Sequence, residues 1–188
     1  ALLLGPDGKE IYRYDKTRLV PFGEYIPFKD WLGVFLEPFV QEVAEFSPGE
    51  ELQIGSIAGT QFATLICYEG IFPELSRLFA RKGAQVFVSI TNDSWYGQST
   101  APRQHLEMIS FRSIETRKPF LRCANSGYSA TIDHLGRSSQ EIGLFEKGVL
   151  MTQVAGNNYR TIYSYTGDWI SIVVVVATFA LALVGTKP

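Results

Sequence analysis

Strands and helices alternate regularly through the middle of the sequence, and this alternation constrains the fold most strongly. Apolar runs and helical spacings of apolar side chains predict, in order, a strand, helix, strand, helix and strand at 61–67, 74–82, 85–90, 104–117 and 120–124. Gly83 and Pro119 follow the two helical segments, as residues that end helices do. A β-α-β-α-β order predicts an α/β domain in which helices cover a sheet.

Shorter elements flank this central unit. Residues 1–4 and 11–14 predict a hairpin around a Gly-Pro-Asp-Gly turn, and 128–133 and 149–154 predict later strands that add mixed pairing. A length of 188 residues allows one domain with a sizeable core, with or without an appendage. Since a domain rarely begins inside a hairpin, we expect the sequence to be part of a longer protein.

Cys67 lies at the first junction between a predicted strand and a predicted helix. It ends the apolar run from Phe62, and Pro73 suits the first turn of the helix that follows. A thiol at such a junction is exposed at the sheet edge, where the N–H dipoles of the helix favour the thiolate. The position suits a nucleophile, while a buried structural cysteine remains the alternative.

A nucleophilic thiol needs a base and a group that stabilises the oxyanion. Because histidine is scarce, the candidate partners are Lys16, Glu24 and Glu69. Lys16 stands directly after a predicted strand and beside a loop made rigid by two prolines and a glycine. By itself, a lysine in an Asp-Lys-Thr-Arg stretch would be interpreted as a solvated surface charge.

Composition excludes several classes of function. The net charge of −2 and the pI near 5.7, without a basic cluster, argue against nucleic-acid binding. Two cysteines, Cys67 and Cys123, are too few for a disulfide framework. His105 on a predicted helix and His134 in a predicted hairpin turn have no metal-binding spacing. We therefore interpret both histidines as structural and expect no metal or other cofactor.

An uninterrupted apolar stretch closes the sequence. No charged side chain occurs between Asp168 and Lys187, and aromatic residues stand at the entrance. Aromatic residues at one interface and a lysine at the other are typical of a membrane anchor whose C-terminus faces the cytoplasm. We expect a domain at 1–165 and a transmembrane helix at 166–188, although the apolar run is short for a hydrocarbon core of about 30 Å. A buried strand followed by a short helix is the alternative.

Four segments of the sequence form motifs at 14–25, 66–69, 91–97 and 122–130: YDKTRLVPFGEY, ICYE, TNDSWYG and RCANSGYSA. They resemble motifs of the nitrilase, or carbon-nitrogen hydrolase, superfamily, and specifically of its membrane-bound branch, the apolipoprotein N-acyltransferases. The first resembles the lysine motif of that branch and the second its nucleophile motif. The third and fourth resemble the loop and the strand pair that follow. Because these segments and the terminal apolar run keep the order of the family, the chain is identified as the carboxy-terminal part of such a protein.

The resemblance implies a fold and a set of site residues. The fold is a nitrilase-like α-β-β-α sandwich, incomplete at its N-terminal side, followed by a C-terminal transmembrane helix. Cys67 matches the nucleophile of the family and Lys16 its catalytic lysine. Glu24 and Glu69 match accessory acidic residues of the site in this family. Tyr68 and Trp95 match its substrate-binding pocket residues. The general-base glutamate of the family lies upstream of the lysine, and no residue of this sequence matches it.

The reaction that the resemblance implies is a two-step acyl transfer. The Cys67 thiolate would attack an ester of a membrane phospholipid, Lys16 would stabilise the oxyanion, and a thioester would form. The N-terminal amine of the diacylglyceryl-cysteine of an apolipoprotein would then take the acyl chain. The implied setting is a monomer in the bacterial inner membrane, with its catalytic domain on the periplasmic face.

Two other functions remain open. A soluble nitrilase-like amidase is disfavoured by the terminal apolar run and by the apolar stretch at 31–40. That stretch could form a lid at the membrane interface or pack normally beneath a loop. A non-catalytic, membrane-tethered binding domain is disfavoured because Lys16 and Cys67 are both present in matching motifs.

Overall fold

A computed structural model describes residues 1–28 and 46–185, and a six-stranded mixed sheet forms its centre. The strands are β1 (Leu2–Leu4), β2 (Glu10–Arg13), β3 (Gly55–Ile57), β4 (Thr60–Ile66), β5 (Val86–Thr91), β6 (Phe120–Ala124), β7 (Ser129–Ile132) and β8 (Ser138–Ile142). The helices are α1 (Pro73–Lys82), α2 (Ala101–Thr116), α3 (Ile162–Thr166) and α4 (Trp169–Gly185). The lid predicted at 31–40 lies outside the described residues.

The sheet combines a parallel centre with antiparallel edges. Its order is β3-β4-β5-β6-β7-β8, and the pairs β4–β5 and β5–β6 are parallel while the other pairs are antiparallel. The register aligns Ile66, Ile90 and Cys123 across the three parallel strands. The carboxyl ends of these strands therefore meet at one edge, and Cys67 follows directly after the first of them. The mixed pairing confirms the prediction.

Aromatic side chains join the helices to the sheet. Phe79 of α1 contacts Phe87 of β5 edge to face, and Phe87 stacks on Phe120 of β6 with ring centroids 4.6 Å apart. All three side chains are fully buried, and burial of each contributes about 2–3 kcal/mol. This core holds α1 against the central strands and so fixes the positions of the connecting segments at the carboxyl edge.

Most of the central elements agree with the sequence prediction. The hairpin of β1 and β2, the strand β6 and the helix α1 lie where they were expected, and Gly83 ends α1 with a φ of 108°. The left-handed conformation at that position favours glycine. Helix α2 begins at Ala101 rather than at residue 104, with a proline in its first turn. The strands β4 and β5 are shifted from the prediction by one residue.

The strand predicted at 149–154 is wrong. Residues 149–154 form neither helix nor strand, and Val149 and Met151 are 88% and 86% exposed. The strand that pairs with β7 is instead the polar β8. An edge strand with solvent on its outer side needs few apolar side chains, so β8 gave no hydrophobic signal.

The transmembrane helix predicted at 166–188 is not found at that length. Gly167 separates α3 from α4 with a φ of 60°, and α4 contains 17 residues. At 1.5 Å per residue such a helix is about 26 Å long. Within residues 1–28 and 46–185, the structure has no helix with enough length and apolar character to cross a membrane.

Candidate active site

Cys67 occupies a strained turn directly after β4. Its φ is 52°, and it begins a 3₁₀ turn, Cys67–Ile71, that leads into α1. A positive φ is uncommon for a residue other than glycine and costs of order 1 kcal/mol or more. The predicted strand-to-helix junction is confirmed, and the Cys67 side chain is half-buried rather than part of the core.

Glu69 holds this turn in place. Its side chain is fully buried, and its Oε2 accepts a hydrogen bond of 2.9 Å from the N–H of Ile66. Its Oε1 accepts hydrogen bonds from the loop after β2, donated by Thr17 N, Thr17 Oγ1, Arg18 N and Tyr14 Oη at 2.7, 2.9, 3.1 and 2.8 Å. Burial, followed by the charge of Glu69, raises the pKa of Tyr14. Glu69 thus joins the loop that carries Lys16 to the turn that carries Cys67.

The Glu69 carboxylate is enclosed by main-chain and hydroxyl donors. These hydrogen bonds join two segments of the site. The catalytic role that the resemblance implies for Glu69 stays a prediction.

Lys16 is held in a defined position by Glu24. Its Nζ donates hydrogen bonds of 2.6 and 2.7 Å to the two carboxylate oxygens of Glu24, and the Lys16 side chain is only 11% exposed. Glu24 also accepts a hydrogen bond of 2.9 Å from the N–H of Val20, which closes the loop. The Lys16 side chain is therefore not a solvated surface charge, the interpretation that the Asp-Lys-Thr-Arg stretch would suggest when taken by itself.

The segment 46–50 supports the Lys16 loop from outside. The N–H of Gly49 donates a hydrogen bond of 2.7 Å to the carbonyl of Lys16. A Cβ atom has no room at Gly49, because the carbonyl of Asp15 lies against it. A cavity of about 1050 Å³ is lined by Lys16, Glu24 and the segment 46–51, and reaches Ile66 beside Cys67. The Lys16 loop and the carboxyl end of β4, directly before Cys67, thus line one concave surface.

The remaining predicted pocket residues lie at the same carboxyl edge. Tyr68 is half-buried and contacts Phe72 edge to face, with ring centroids 5.0 Å apart. Trp95 lies in a 3₁₀ turn after β5, Ser94–Tyr96, and is 85% exposed. Its large apolar surface is available to a substrate or another partner.

Sequence reasoning missed a buried cluster beneath this edge. Asp93 accepts a hydrogen bond of 2.7 Å from Arg122, and the side chains of both are fully buried. Nδ1 of His105 lies 3.0 Å from Asp93, so the structural interpretation of His105 is consistent with its position. Asp93 and Arg122 stand in the motifs at 91–97 and 122–130. The sequence pattern within either motif does not predict that the two side chains contact each other.

Replacing Glu69 by glutamine will lower the free energy of unfolding by about 3 kcal/mol. An amide group cannot accept hydrogen bonds at both of its ends, so Glu69→Gln leaves donors such as the Ile66 N–H unpaired. Urea denaturation followed by circular dichroism measures the loss. Glu51→Gln at an exposed position is the matched control and should change stability by less than about 0.5 kcal/mol. Equal stabilities of the two variants would contradict the role assigned to Glu69.

The sequence of this chain matches the model of a known protein family. The model of the carbon-nitrogen hydrolases, described as "Carbon-nitrogen hydrolase", matches residues 1–163. The chain belongs to the carbon-nitrogen hydrolase family. Among solved structures, the chain is similar to Saccharomyces cerevisiae Nit3, a member of branch 10 of the nitrilase superfamily. The identity is 25% and the TM-score 0.54, over 75% of this chain and 47% of that one.

Other relatives agree with this assignment. An amidase mutant from Nesterenkonia sp. is 24% identical with a TM-score of 0.57, over 76% of this chain and 50% of its own, and shows the same fold. The apolipoprotein N-acyltransferase of Geobacter metallireducens is 40% identical over 97% of this chain. Apolipoprotein N-acyltransferase 2 of Treponema denticola is 36% identical over 92% of it. The chain spans about a third of the length of these curated relatives, 35% and 34%.

Proposed function

We propose that this chain carries the nucleophile and the oxyanion-stabilising cation of an apolipoprotein N-acyltransferase. The observation that most directly supports this proposal is the set of hydrogen bonds that Glu69 accepts. They join the strained Cys67 turn to the Lys16 loop. The similarity to apolipoprotein N-acyltransferases over nearly the whole chain supports this activity over other acyl transfers.

The proposed reaction begins at the thiol. The Cys67 thiolate attacks the ester carbonyl of a membrane phospholipid, and the Lys16 ammonium stabilises the developing oxyanion. The C–O bond of the ester breaks, the lysophospholipid oxygen takes up the proton that the thiol gave up, and the acyl chain remains on Cys67 as a thioester. We assign the removal of the thiol proton to the upstream glutamate that the resemblance implies. Glu24 keeps the Lys16 ammonium oriented through its two hydrogen bonds.

The second step transfers the acyl chain to an amine. The N-terminal amine of a diacylglyceryl-cysteine attacks the thioester, forms an amide and releases the Cys67 thiol. Because a thioester also reacts with water, the amine must be held close to it. The exposed Trp95 and the half-buried Tyr68 at the same edge fit a substrate that carries acyl chains.

We also propose that the fold continues beyond the described elements. The sheet surface formed by strands such as β4 and β5 carries an apolar cavity of about 640 Å³, lined by Phe62, Val88, Ile90 and Leu121 among others. This apolar surface suits the second sheet of an α-β-β-α sandwich. The catalytic domain in this proposal includes residues 1–165.

The apolar helix α4 supports a membrane location. Side chains on several faces are exposed, with Ile172, Val174 and Phe179 at 64%, 57% and 69%. Such surface is unfavourable in water and favourable in lipid. We propose that α4 inserts into the bacterial inner membrane and that the catalytic domain lies on the periplasmic face.

Deleting residues 169–188 will weaken membrane retention of the protein. The deletion removes the exposed apolar surface of α4 and leaves the core of the sheet domain unchanged. Carbonate extraction of membranes, followed by sedimentation, measures the fraction retained. Retention equal to that of the intact protein would argue against insertion of this helix.

Acylation in phospholipid vesicles tests the proposed function. The full protein, incubated with vesicles that contain a radiolabelled phospholipid, should acquire label on the peptide that contains Cys67. Hydroxylamine should remove that label, as it does from thioesters. Absence of a hydroxylamine-sensitive adduct would contradict the acyltransferase proposal and favour a non-catalytic binding domain, while cleavage of small amides without lipid labelling would favour a soluble amidase.

A further inference from the structure

A connecting segment, residues 156–161, leads from the sheet domain to α3 and α4 and is bound to the amino edge of the sheet. The N–H of Asn157 donates a hydrogen bond of 3.4 Å to the carbonyl of Gln85, and Gln85 Nε2 donates one of 2.9 Å to Asn158 Oδ1. Gln85 stands directly before β5. Since β4 and β5 are parallel, this edge is opposite to the edge at which Cys67 lies.

Lys118 binds the connecting segment from the interior of the protein. It stands in the short turn between α2 and β6 and is 2% exposed. Its Nζ donates hydrogen bonds of 2.7 Å to the carbonyls of Asn157 and Tyr159, and one of 3.3 Å to Asn157 Oδ1. An ammonium group has three donor hydrogens. The connecting segment therefore supplies an acceptor for each of them.

The burial of this ammonium group is costly, and the hydrogen bonds offset the cost. Burial, with a smaller effect of the Arg160 charge, lowers the pKa of Lys118 to about 8. The acceptors are carbonyl and amide oxygens rather than carboxylates, and they replace the hydration that a buried charge loses. An apolar side chain would avoid the cost but could not hold the two carbonyl groups. Lys118 thus specifies where the segment lies.

The connecting segment also fits closely against the sheet. A Cβ atom at Gly156 would lie 2.9 Å from Thr60 Cγ2 and 3.0 Å from Gln85 Cβ. Asn157 Nδ2 donates a hydrogen bond of 2.8 Å to the carbonyl of Arg117. Asn157 therefore contacts the turn between α2 and β6 through its side chain and its main chain, and the segment is held in one position.

Further contacts continue from the connecting segment to α4. Thr161 Oγ1 donates a hydrogen bond of 2.6 Å to the carbonyl of Glu115 near the end of α2, and accepts one of 3.0 Å from the N–H of Ser164 in α3. After α3, Gly167 has a φ of 60°, and a Cβ atom there would lie 3.3 Å from Arg77 Nε. Because Arg77 lies in the middle of α1, α3 leads the chain from the amino edge back along the helices. Helix α4 begins two residues after Gly167.

We propose that Lys118 is a positioning residue that fixes the direction in which α4 leaves the sheet domain. With α4 in a membrane, this direction determines how the carboxyl edge, which carries Cys67, faces the lipid. Lys118 acts through the connecting segment and contacts no substrate. The inference rests on the proposed function, since it takes α4 to lie in the membrane and the acyl donor to be a phospholipid.

Hydrogen exchange measures the attachment of the connecting segment. The full protein is placed in phospholipid vesicles, and mass spectrometry follows peptides from 156–164 and from β5. Lys118→Met should raise the exchange rate of the 156–164 amides at least about tenfold and leave β5 unchanged. Gly156→Ala should have the same effect, because its methyl group displaces the segment while Lys118 is kept. Lys147→Met is the control, since Lys147 is exposed, and should match the unchanged protein.

Two acyl donors separate positioning from general damage. Labelled phospholipid in vesicles reaches Cys67 only when the carboxyl edge faces the bilayer, whereas a water-soluble p-nitrophenyl ester reaches it in any orientation. Lys118→Met should slow labelling of Cys67 by phospholipid about tenfold, and should change labelling by the soluble ester less than about twofold. Equal losses with the two donors, or unchanged labelling by phospholipid, would overturn the proposal.

A second variant and the exchange measurement keep the test decisive. If Lys118→Met fails to fold, Gly156→Ala decides the question by the same two measurements. Unchanged exchange of the 156–164 amides in a folded variant would also overturn the proposal. Failure of the proposed function gives a different pattern, in which the unchanged protein acquires no label from phospholipid. Exchange of the 156–164 amides would then still confirm or overturn the part of Lys118 in fixing the connecting segment.

Discussion

Replacing Cys67 by alanine will abolish acyl transfer, with a loss of at least about a thousand-fold. The proposed thioester needs a nucleophile at the strained turn after β4, and no other described side chain is assigned that role. Cys67→Ser keeps the shape of the residue but should also lose most of the activity, because a hydroxyl is a weaker nucleophile than a thiolate near neutral pH. The rate of acyl transfer from labelled phospholipid to a lipopeptide amine measures both variants.

Cys123→Ala is the matched control for this experiment. Cys123 is the second cysteine of the sequence, lies two strands away on β6, and is exposed. Its replacement should leave transfer within a factor of about two of the unchanged protein, an effect well under 1 kcal/mol. Substantial transfer by Cys67→Ala, or equal losses in both variants, would show that Cys67 is not the nucleophile.

Replacing Lys16 by methionine will slow formation of the thioester by about 10²–10³-fold. Methionine keeps much of the apolar volume but removes the ammonium that would stabilise the oxyanion. It also leaves the Glu24 carboxylate without the two hydrogen bonds of 2.6 and 2.7 Å that Lys16 donates. The rate of hydroxylamine-sensitive labelling in a single turnover measures the first step separately from transfer.

Two further variants separate charge from geometry at Lys16. The double variant Lys16→Met/Glu24→Gln removes both charges of the pair, so a loss equal to that of Lys16→Met alone assigns the effect to the missing cation rather than to an unpaired Glu24. Lys9→Met is the control, because the Lys9 side chain is 82% exposed. Unchanged labelling by Lys16→Met would contradict the role proposed for this residue.

The central strand-to-helix unit could be predicted because its signals are local. An apolar run ends at Cys67, Pro73 begins a helix, and Gly83 ends it in the left-handed conformation. These features act within a few residues of one another, so the sequence pattern and the structure coincide. The polar edge strand β8 has no such pattern. The apolar side chains at 149–154 led to the prediction of a strand, but this segment does not pair with the sheet.

The arrangement of the site depends on contacts between distant residues. The hydrogen bond from Thr17 to Glu69 joins residues that are 52 positions apart, and the one from Arg122 to Asp93 joins residues 29 positions apart. No local pattern reveals such pairs. The resemblance to a family identified Lys16 and Cys67, but only the structure shows that Glu69 connects their loops and that Asp93 and Arg122 form a buried ion pair.

The partition of acyl groups between amine and water tests the central claim most directly. The full protein is incubated with vesicles of labelled phospholipid and a synthetic peptide that begins with diacylglyceryl-cysteine, and N-acylated peptide and free fatty acid are quantified together. Our account predicts that label moves mainly to the peptide amine, and only when Cys67 is present. Release of free fatty acid without N-acylated peptide would contradict it and identify the protein as a hydrolase.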